Sequence, residues 1–434
     1  MYLFLNYCVQ NQIRQFTTDI TNAYLQALPD QQYIGFIAKE QSGWSEDRIY
    51  IHGKNTYGMV KAGRLWHEKR VEVHRLMGGE QCPSEPTLWV YRNQHGIVVD
   101  VTYVDDAATA CSTPAAEVWF KSTLQQHLPI GACEPLSRFL GMDMRIVHPP
   151  GATSFYIEVS LDTYIKQIPQ KLALSSHFLK PKSVPVIPLT SFNEERFLLE
   201  PTKSLADLDH TTQSKLGVLR WASHVYPMLL RAISFPQNVD NALLYLLHRA
   251  LPPLAFHKSI TAPPYVFQAL VDARMPPANC FGILLRANPQ SGSFFVQARK
   301  SKMAHLSSAD AECNGTCEAA KQVMFFRAVI QWLYAIATMP PTEVYTDNQV
   351  VLRQLSSPVP TPGSRYFMLR LNAVRSWVKA GFLVVLYIKG DENVSDMLTK
   401  ALIIKRYKYF ELQIQGTGLT AVVAQVWVSS SHLS

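Results

Sequence analysis

Apolar runs and the residues that interrupt them divide this chain into elements. Ile97–Tyr103 (IVVDVTY) is a β-branched run ending in Val104-Asp105-Asp106, which predicts a buried strand turning at a carboxylate pair. Residues 115–128 read as a helix and Phe155–Val159 as a strand. Tyr265–Asp272, Cys280–Ala287 and Ser293–Ala298 are short apolar segments separated by Pro- or Gly-bearing turns, which predicts three strands. Ser308 is placed to cap a long helix from Ala309 to Tyr334, with Glu312 in its first turns. Thr342–Thr346 predicts a strand ending at Asp347, followed by helices over Gln349–Leu355 and Tyr366–Lys379. Phe382–Ile388 predicts another strand, and a last helix carries Asp396. Three strands, a helix, a strand, helices, a strand and a helix make a mixed α/β sheet with helices packed against it.

Two proline-rich stretches punctuate this order. Lys180–Pro188 (KPKSVPVIP) and Leu251–Pro264, which holds two Pro-Pro pairs, are read as lying outside any regular element. They predict a first domain over 1–180, a connecting helical segment over 181–260, a second domain over 261–415 and an unassigned tail over 416–434.

Composition changes the picture only modestly. Apolar residues make up 47% of the 434 and charged residues 17%, which excludes wholesale disorder. The 41 basic residues exceed the 33 acidic ones, a surplus compatible with a polyanionic partner and shared by many proteins without one. Seven cysteines with no CxxC pair argue against a disulfide framework and a zinc site, and for reduced thiols inside a cell. The opening residues lack a basic segment and a cleavage site, and no uncharged apolar run reaches the ~18 residues of a membrane span. The expectation is a soluble chain that is not secreted, has no membrane partner, and resides in the cytoplasm, a virus-like particle or the nucleus.

The acids carry the candidate chemistry. Asp105 and Asp106 repel unless something positive lies between them, and a magnesium ion bound by carboxylate oxygens is the usual remedy. Asp19, after Thr17-Thr18, offers a third carboxylate; the plain alternative is that the Asp pair only closes a hairpin. Farther on, Asp272, Glu312, Asp347 and Asp396 fall at strand ends and on helices that one sheet can bring together. Four converging acids can hold two metals ~3.5–4 Å apart and support in-line displacement at phosphorus. Each taken singly reads as a cap or a solvated surface group; the set and its order raise the functional reading.

These residues carry a resemblance. Asp19-Ile-Thr-Asn-Ala-Tyr24-Leu resembles the first palm motif of copia-type retrotransposon polyproteins, and Tyr57-Gly58 through Ala62-Gly63-Arg64-Leu65-Trp66 resembles their YGLKQAGRLW stretch. Tyr103-Val-Asp-Asp106 matches YVDD, and Phe139-Leu-Gly141 resembles the FLG that follows it. Ser307-Ser308-Ala-Asp310-Ala-Glu312, Thr346-Asp347-Asn348 and Asp396-Met-Leu-Thr399-Lys400 resemble SSTEAE, CDN and ADIFTK. The chain therefore resembles the reverse transcriptase–ribonuclease H portion of that family along almost its whole length.

The resemblance implies an α+β / α/β architecture: a reverse transcriptase palm with incomplete fingers, a helical thumb or connection, and a ribonuclease H-like mixed sheet with flanking helices. It implies that Asp19, Asp105 and Asp106 hold two Mg2+ ions (or Mn2+) that align a primer 3′-hydroxyl with a deoxynucleoside triphosphate. Tyr24 would exclude a 2′-hydroxyl, although an ordinary core tyrosine is the alternative. Lys61, Arg64 and Tyr103 would face template or nucleotide. Asp272, Glu312, Asp347 and Asp396, with two further ions, would cut the RNA of an RNA–DNA hybrid. The implied partners are an RNA template, a DNA primer, the hybrid and deoxynucleoside triphosphates. Lys405-Arg406-Tyr407-Lys408-Tyr409-Phe410 is read either as a phosphate-backbone contact or as a solvated helix face.

Departures from the family pattern qualify the expected activity. Only eighteen residues precede Asp19 here, so the nucleotide-gripping fingers of the family are expected to be truncated and polymerase activity weak. Val60-Lys61 stands where the family has Lys-Gln, Arg274-Met275 alters the loop after Asp272, and Arg365-Tyr366 replaces a basic-His segment. A catalytically inactive relic that at most binds nucleic acid is the competing reading.

Overall fold

The computed structural model of the chain describes residues 1–37, 45, 48–175, 208–233, 239–259, 262–274, 279–302, 305–357 and 367–417. Lys180–Pro188, Arg365-Tyr366 and the tail beyond 417 lie outside the described residues. Two units result: Ile13–Leu140, and Met1–Gln12 together with the described part of Gly141–Ser434.

The opening helix α1 (Tyr2–Asn11) belongs to the second unit. The first unit contains β1 (Arg14–Asp19), β2 (Tyr33–Ile37), β3 (Arg48–His52), α2 (Ala62–Leu76), β4 (Glu80–Gln81), β5 (Leu88–Asn93), β6 (Gly96–Tyr103), β7 (Asp106–Cys111), α3 (Pro114–His127), β8 (Glu134–Pro135) and β9 (Arg138–Phe139). Its main sheet has the order β4-β5-β6-β7-β1-β8 and is antiparallel throughout. β6 forms where the β-branched run predicts it. α3 forms within a residue of its predicted span, with Thr113 accepting the Ala116 N–H and Pro114 at the first helical position. The core beneath the helices is aromatic, including Phe16, Trp66, Trp89, Tyr91 and Phe120. Each buries a large apolar surface on a sheet face that alternation alone leaves half exposed.

In the second unit β10 (Met142–Val147) and β11 (Tyr156–Ser160) are followed by α4 (Asp162–Lys171), α5 (His210–Ala222), α6 (Leu229–Ile233), α7 (Val239–His248) and β12 (Leu254–Phe256). β12 corrects the reading of Leu251–Pro264. Three residues between its Pro-Pro pairs do form a strand, antiparallel to β11. A strand that short fits between the prolines without losing a ladder donor to either pair.

The rest of this unit comprises β13 (Gln268–Arg274), β14 (Cys280–Arg286), β15 (Ser293–Lys300), α8 (Ser308–Tyr334), β16 (Thr342–Thr346), α9 (Gln349–Ser356), α10 (Met368–Lys379), β17 (Leu383–Tyr387), α11 (Asp396–Thr399) and α12 (Ile404–Gln415). Its five strands run in the order β15-β14-β13-β16-β17, antiparallel up to β13 and parallel from β13 to β17. The mixed sheet expected from the element order is therefore present.

Three boundary differences bear on the acids and the helix that carries Glu312. Pro263 opens a turn closed by the Val266 N–H, so β13 starts three residues late, and pairing of Ala273 and Arg274 with Phe281 and Cys280 carries the strand past Asp272, which lies inside it rather than at its end. Ser307, not Ser308, caps α8, because its extended backbone aims the hydroxyl at the Asp310 N–H. Asp396 opens the short α11 instead of standing on the last helix. No disulfide forms among the described residues, and none of their helices is long and apolar enough to cross a membrane.

Two glycines set how closely helices approach this sheet. A Cβ on Gly315 of α8 would meet the Ala273 Cβ at 3.0 Å, and one on Gly282 of β14 would meet the Leu398 Cβ of α11 at 2.5 Å. Asp272 pairs with Gly282 across the ladder and shares its face, whereas Ala273 points to the other side. Helices therefore press close to β13–β14 on both faces, one bringing Glu312 and the other Asp396.

Candidate active sites

The first acid cluster is built by a two-residue hairpin. Tyr103 faces Asp106 across the β6–β7 ladder, which leaves Val104 and Asp105 as the turn. Val104 has φ 47°, the positive value a tight hairpin asks of its first turn residue and a β-branched side chain resists. Asp106 faces Asp19 across the β1–β7 ladder, and the Ile20 N–H donates to the Asp105 carbonyl at 2.9 Å. The Asp pair thus does close a hairpin, and the same register brings it to Asp19. Partial burial pushes the Asp106 carboxyl up, Asp105 and Asp19 push it further, and Arg70 opposes them.

The predicted substrate contacts gather around the same end. Tyr24, on a 3-10 turn over Ala23–Gln26, is half-buried and meets the exposed Tyr57 edge to face at 4.7 Å. Lys61 caps α2 and Arg64 lies in its first turn; both reach Asp30, at 2.8 and 3.4 Å. Tyr103 is exposed at the strand end. Trp66 does more than pack: its indole N–H donates to the Val104 carbonyl at 2.6 Å.

The second cluster forms at the sheet of the other unit. Asp272 on β13, Asp347 just after β16 and Asp396 at the start of α11 each offer a carboxylate oxygen, all within 4.8 Å of one another. Glu312, on α8, is buried, and its Oε2 has no hydrogen-bond partner. Burial holds the Glu312 carboxyl well above the usual range, with Asp272 and Asp347 adding to it. Burial also raises Asp272, to about 6, against the pull of Lys400, with Asp396 adding to the rise. Asp347 rises through burial and Asp272, and Asp396 through burial despite Lys400. All four acids are short of positive charge.

Sequence reasoning missed the groups that partly meet this shortage. Lys400 Nζ lies 2.8 Å from Asp272, 2.8 Å from Asp396 and 3.5 Å from Asp347. The Thr399 hydroxyl donates to Asp272. Arg406 donates to Asp396 Oδ2 at 2.7 Å, so it turns inward rather than lying on a solvated face. Tyr407 and Phe410 beside it are buried, Arg406 itself is partly exposed, and Lys405 and Lys408 stay exposed. Asn348 caps α9 by accepting the Val350 and Val351 N–H groups, which fixes the chain just past Asp347. The signals available for the lysine were its i, i+4 spacing from Asp396 and its place in the Asp396–Lys400 motif.

Comparison with known proteins decides the relationship. Residues 1–188 match the sequence family described as reverse transcriptase (RNA-dependent DNA polymerase). This segment is similar to the reverse transcriptase family. The chain as a whole is similar to the retrovirus-related Pol polyproteins from transposons RE1 and RE2 of Arabidopsis thaliana, 24% identical over 94% of the chain and 22% identical over 93%. It is also similar to that from transposon TNT 1-94 of Nicotiana tabacum, 22% identical over 82%. The chain spans 28%, 27% and 27% of those polyproteins. A foamy viral protease-reverse transcriptase solved in complex with dsDNA overlays 87% of this chain and 68% of its own, at 13% identity and a TM-score of 0.42, too low to bear on the fold. The resemblance to copia-type polyproteins read from the motifs holds at the level of this family and these relatives. The reverse transcriptase segment contains Asp19, Tyr24, Lys61, Arg64, Tyr103, Asp105 and Asp106; the second acid cluster lies beyond it.

Proposed function

We propose that the chain is the reverse transcriptase–ribonuclease H portion of a retrotransposon Pol polyprotein, with a palm-like first unit and a ribonuclease H-like sheet in the second. Asp19, Asp105 and Asp106 would serve RNA-directed DNA synthesis, and Asp272, Glu312, Asp347 and Asp396 would serve cleavage of the RNA strand in an RNA–DNA hybrid. The observation that carries this reading is the approach of Asp272, Asp347 and Asp396 to within 4.8 Å, next to a buried Glu312 oxygen with no partner. An all-carboxylate set of that kind suits magnesium, with manganese as the alternative ion. Bound divalent metal supplies charge neutralisation at phosphorus and an activated oxygen nucleophile.

The chain's own residues account for the rest. Asp19 and Asp106 face each other at one end of an antiparallel ladder, with Asp105 in the turn beside them. Tyr24, braced by Tyr57, stands beside it to exclude a 2′-hydroxyl from an incoming deoxynucleoside triphosphate. Lys61 and Arg64 offer positive charge to triphosphate or template, and Asp30 holds both until then. An RNA template, a DNA primer and their hybrid are the macromolecular partners of this reading.

A second reading, a catalytically silent chain that at most binds nucleic acid, is favoured by one observation: the Lys400 ammonium fills the middle of the second cluster. One gel separates the two. An end-labelled RNA template annealed to a recessed DNA primer is incubated with the full chain, magnesium and four deoxynucleotides, beside an Asp106→Asn, Asp347→Asn control. Extension or cleavage that disappears in the control supports the enzyme reading. A folded chain that yields neither product supports the silent one.

A further inference from the structure

Arg70 stands on α2, one turn after Trp66, and only 5% of it reaches solvent. Its Nη1–H donates to the Val104 carbonyl at 2.7 Å, the same acceptor that the Trp66 indole reaches. Val104 is the residue with φ 47°, and the carbonyl after it, on Asp105, is held by the Ile20 N–H. Two consecutive carbonyls at the hairpin tip are therefore fixed by side-chain and strand donors. Left-handed backbone at a valine is strained and persists only where the surroundings over-determine it.

One tryptophan satisfies a carbonyl, so the arginine needs its own explanation. A buried guanidinium is costly unless matched by charge and hydrogen bonds. Behind Arg70, its Nε–H donates to His74 Nε2 at 3.3 Å, which leaves the imidazole proton on Nδ1 to donate to the Tyr91 hydroxyl. Burial and Arg70 hold His74 neutral, well below its usual range. Asp100, buried and bonded to the Thr109 hydroxyl at 2.6 Å, places Oδ2 3.8 Å from the same imidazole. Burial works against the charge of Arg70, and Asp100 on the strand, with Asp105 and Asp106 at the tip, supports it in part.

We propose that Arg70 is a positioning residue for the first acid cluster: by clamping the Val104 carbonyl it holds the strained turn that directs the Asp105 and Asp106 carboxylates toward a divalent cation. This inference rests on the polymerase reading of that cluster. The test measures Mn2+ binding by electron paramagnetic resonance, using the full chain in an Asp347→Asn background that silences the second cluster. Binding lost on adding Asp105→Asn supports the cluster itself; binding unaffected by it removes the polymerase reading and this proposal with it. Arg70→Met alone strands Asp100, so the decisive variant is Arg70→Met with Asp100→Leu, which removes both charges and keeps the melting temperature close to the parent. The clamp predicts that this double variant binds Mn2+ about tenfold more weakly, as loss of a ligand-orienting partner does. Adding Val104→Gly should restore the affinity, since glycine adopts that φ unaided. Parental affinity in the double variant, or no recovery with glycine, overturns the proposal.

Discussion

Lys400 Nζ stands 2.8 Å from Asp272 Oδ1, so an ammonium of the chain itself occupies the centre of the acid cluster. Burial works against that charge, but Asp272 and Asp396 together drive it firmly to the protonated side. The lysine therefore acts as a resident counterion for acids that otherwise repel. Lys400→Met should destabilise the metal-free chain by about 2 kcal/mol. That is less than for a fully buried pair, because Lys400 remains 34% exposed. Millimolar Mg2+ should then stabilise the variant more than the parent. Urea unfolding with chelator and with Mg2+ checks both; equal metal responses would remove Lys400 from this role.

The raised carboxyls set a direction for pH dependence. Burial lifts Asp272 to about 6 against Lys400, while an unfolded aspartate releases its proton near pH ~3.9. Between those values the folded chain keeps a proton that the unfolded chain has lost. The stability contributed by Asp272 is thus complete below about pH 4 and is lost as pH rises through about 6. In chelator, Asp272→Asn should gain stability relative to the parent across that window. Melting temperatures of both chains measured through it check this, and a constant difference contradicts it.

Legibility differed by kind of feature. β6, β16 and α3 follow from uninterrupted apolar runs or a cap with proline, signals local enough to survive folding. Asp19, Asp106, Asp347 and Asp396 stood out because they fall at or beside the end of an element, whereas Asp105 lies in a turn and Asp272 and Glu312 lie inside elements. The depth of Asp272 in β13 was not legible, since only pairing with Phe281 and Cys280 carries the strand on through Ala273 and Arg274. Neither were the inward cations. Arg70, Lys400 and Arg406 occupy positions that a charge pattern assigns to solvent, and only tertiary partners turn them inside. The short β12 escaped because proline pairs mark where strands end without excluding one between them.

Gly282 ties sheet packing to the site. An added Cβ would lie 2.5 Å from the Leu398 Cβ and 3.2 Å from the Ser395 carbonyl, and that backbone cannot yield without moving Asp396. Gly282→Ala should cost about 2 kcal/mol in urea unfolding. It should also reduce hybrid cleavage while leaving primer extension unchanged, because the acids of the first cluster stand on another sheet. Equal loss of both activities would indicate general unfolding instead.

Asp347 is the member of the second cluster whose removal best separates chemistry from stability. Burial and Asp272 both hold its carboxyl above the usual range, so in the absence of metal its charge is a burden on the fold. Among the described residues its one cationic neighbour, Lys400, is at 3.5 Å and keeps two closer partners when Asp347 is replaced. Asp347→Asn should therefore melt at or slightly above the parent temperature in chelator. Hybrid cleavage should fall by roughly 10²–10³-fold, the loss typical of removing one preorganised electrostatic group. Cleavage that persists at the parental rate would take Asp347 out of the mechanism. A large fall in melting temperature would mean that Asp347 holds the strand end together rather than a cation.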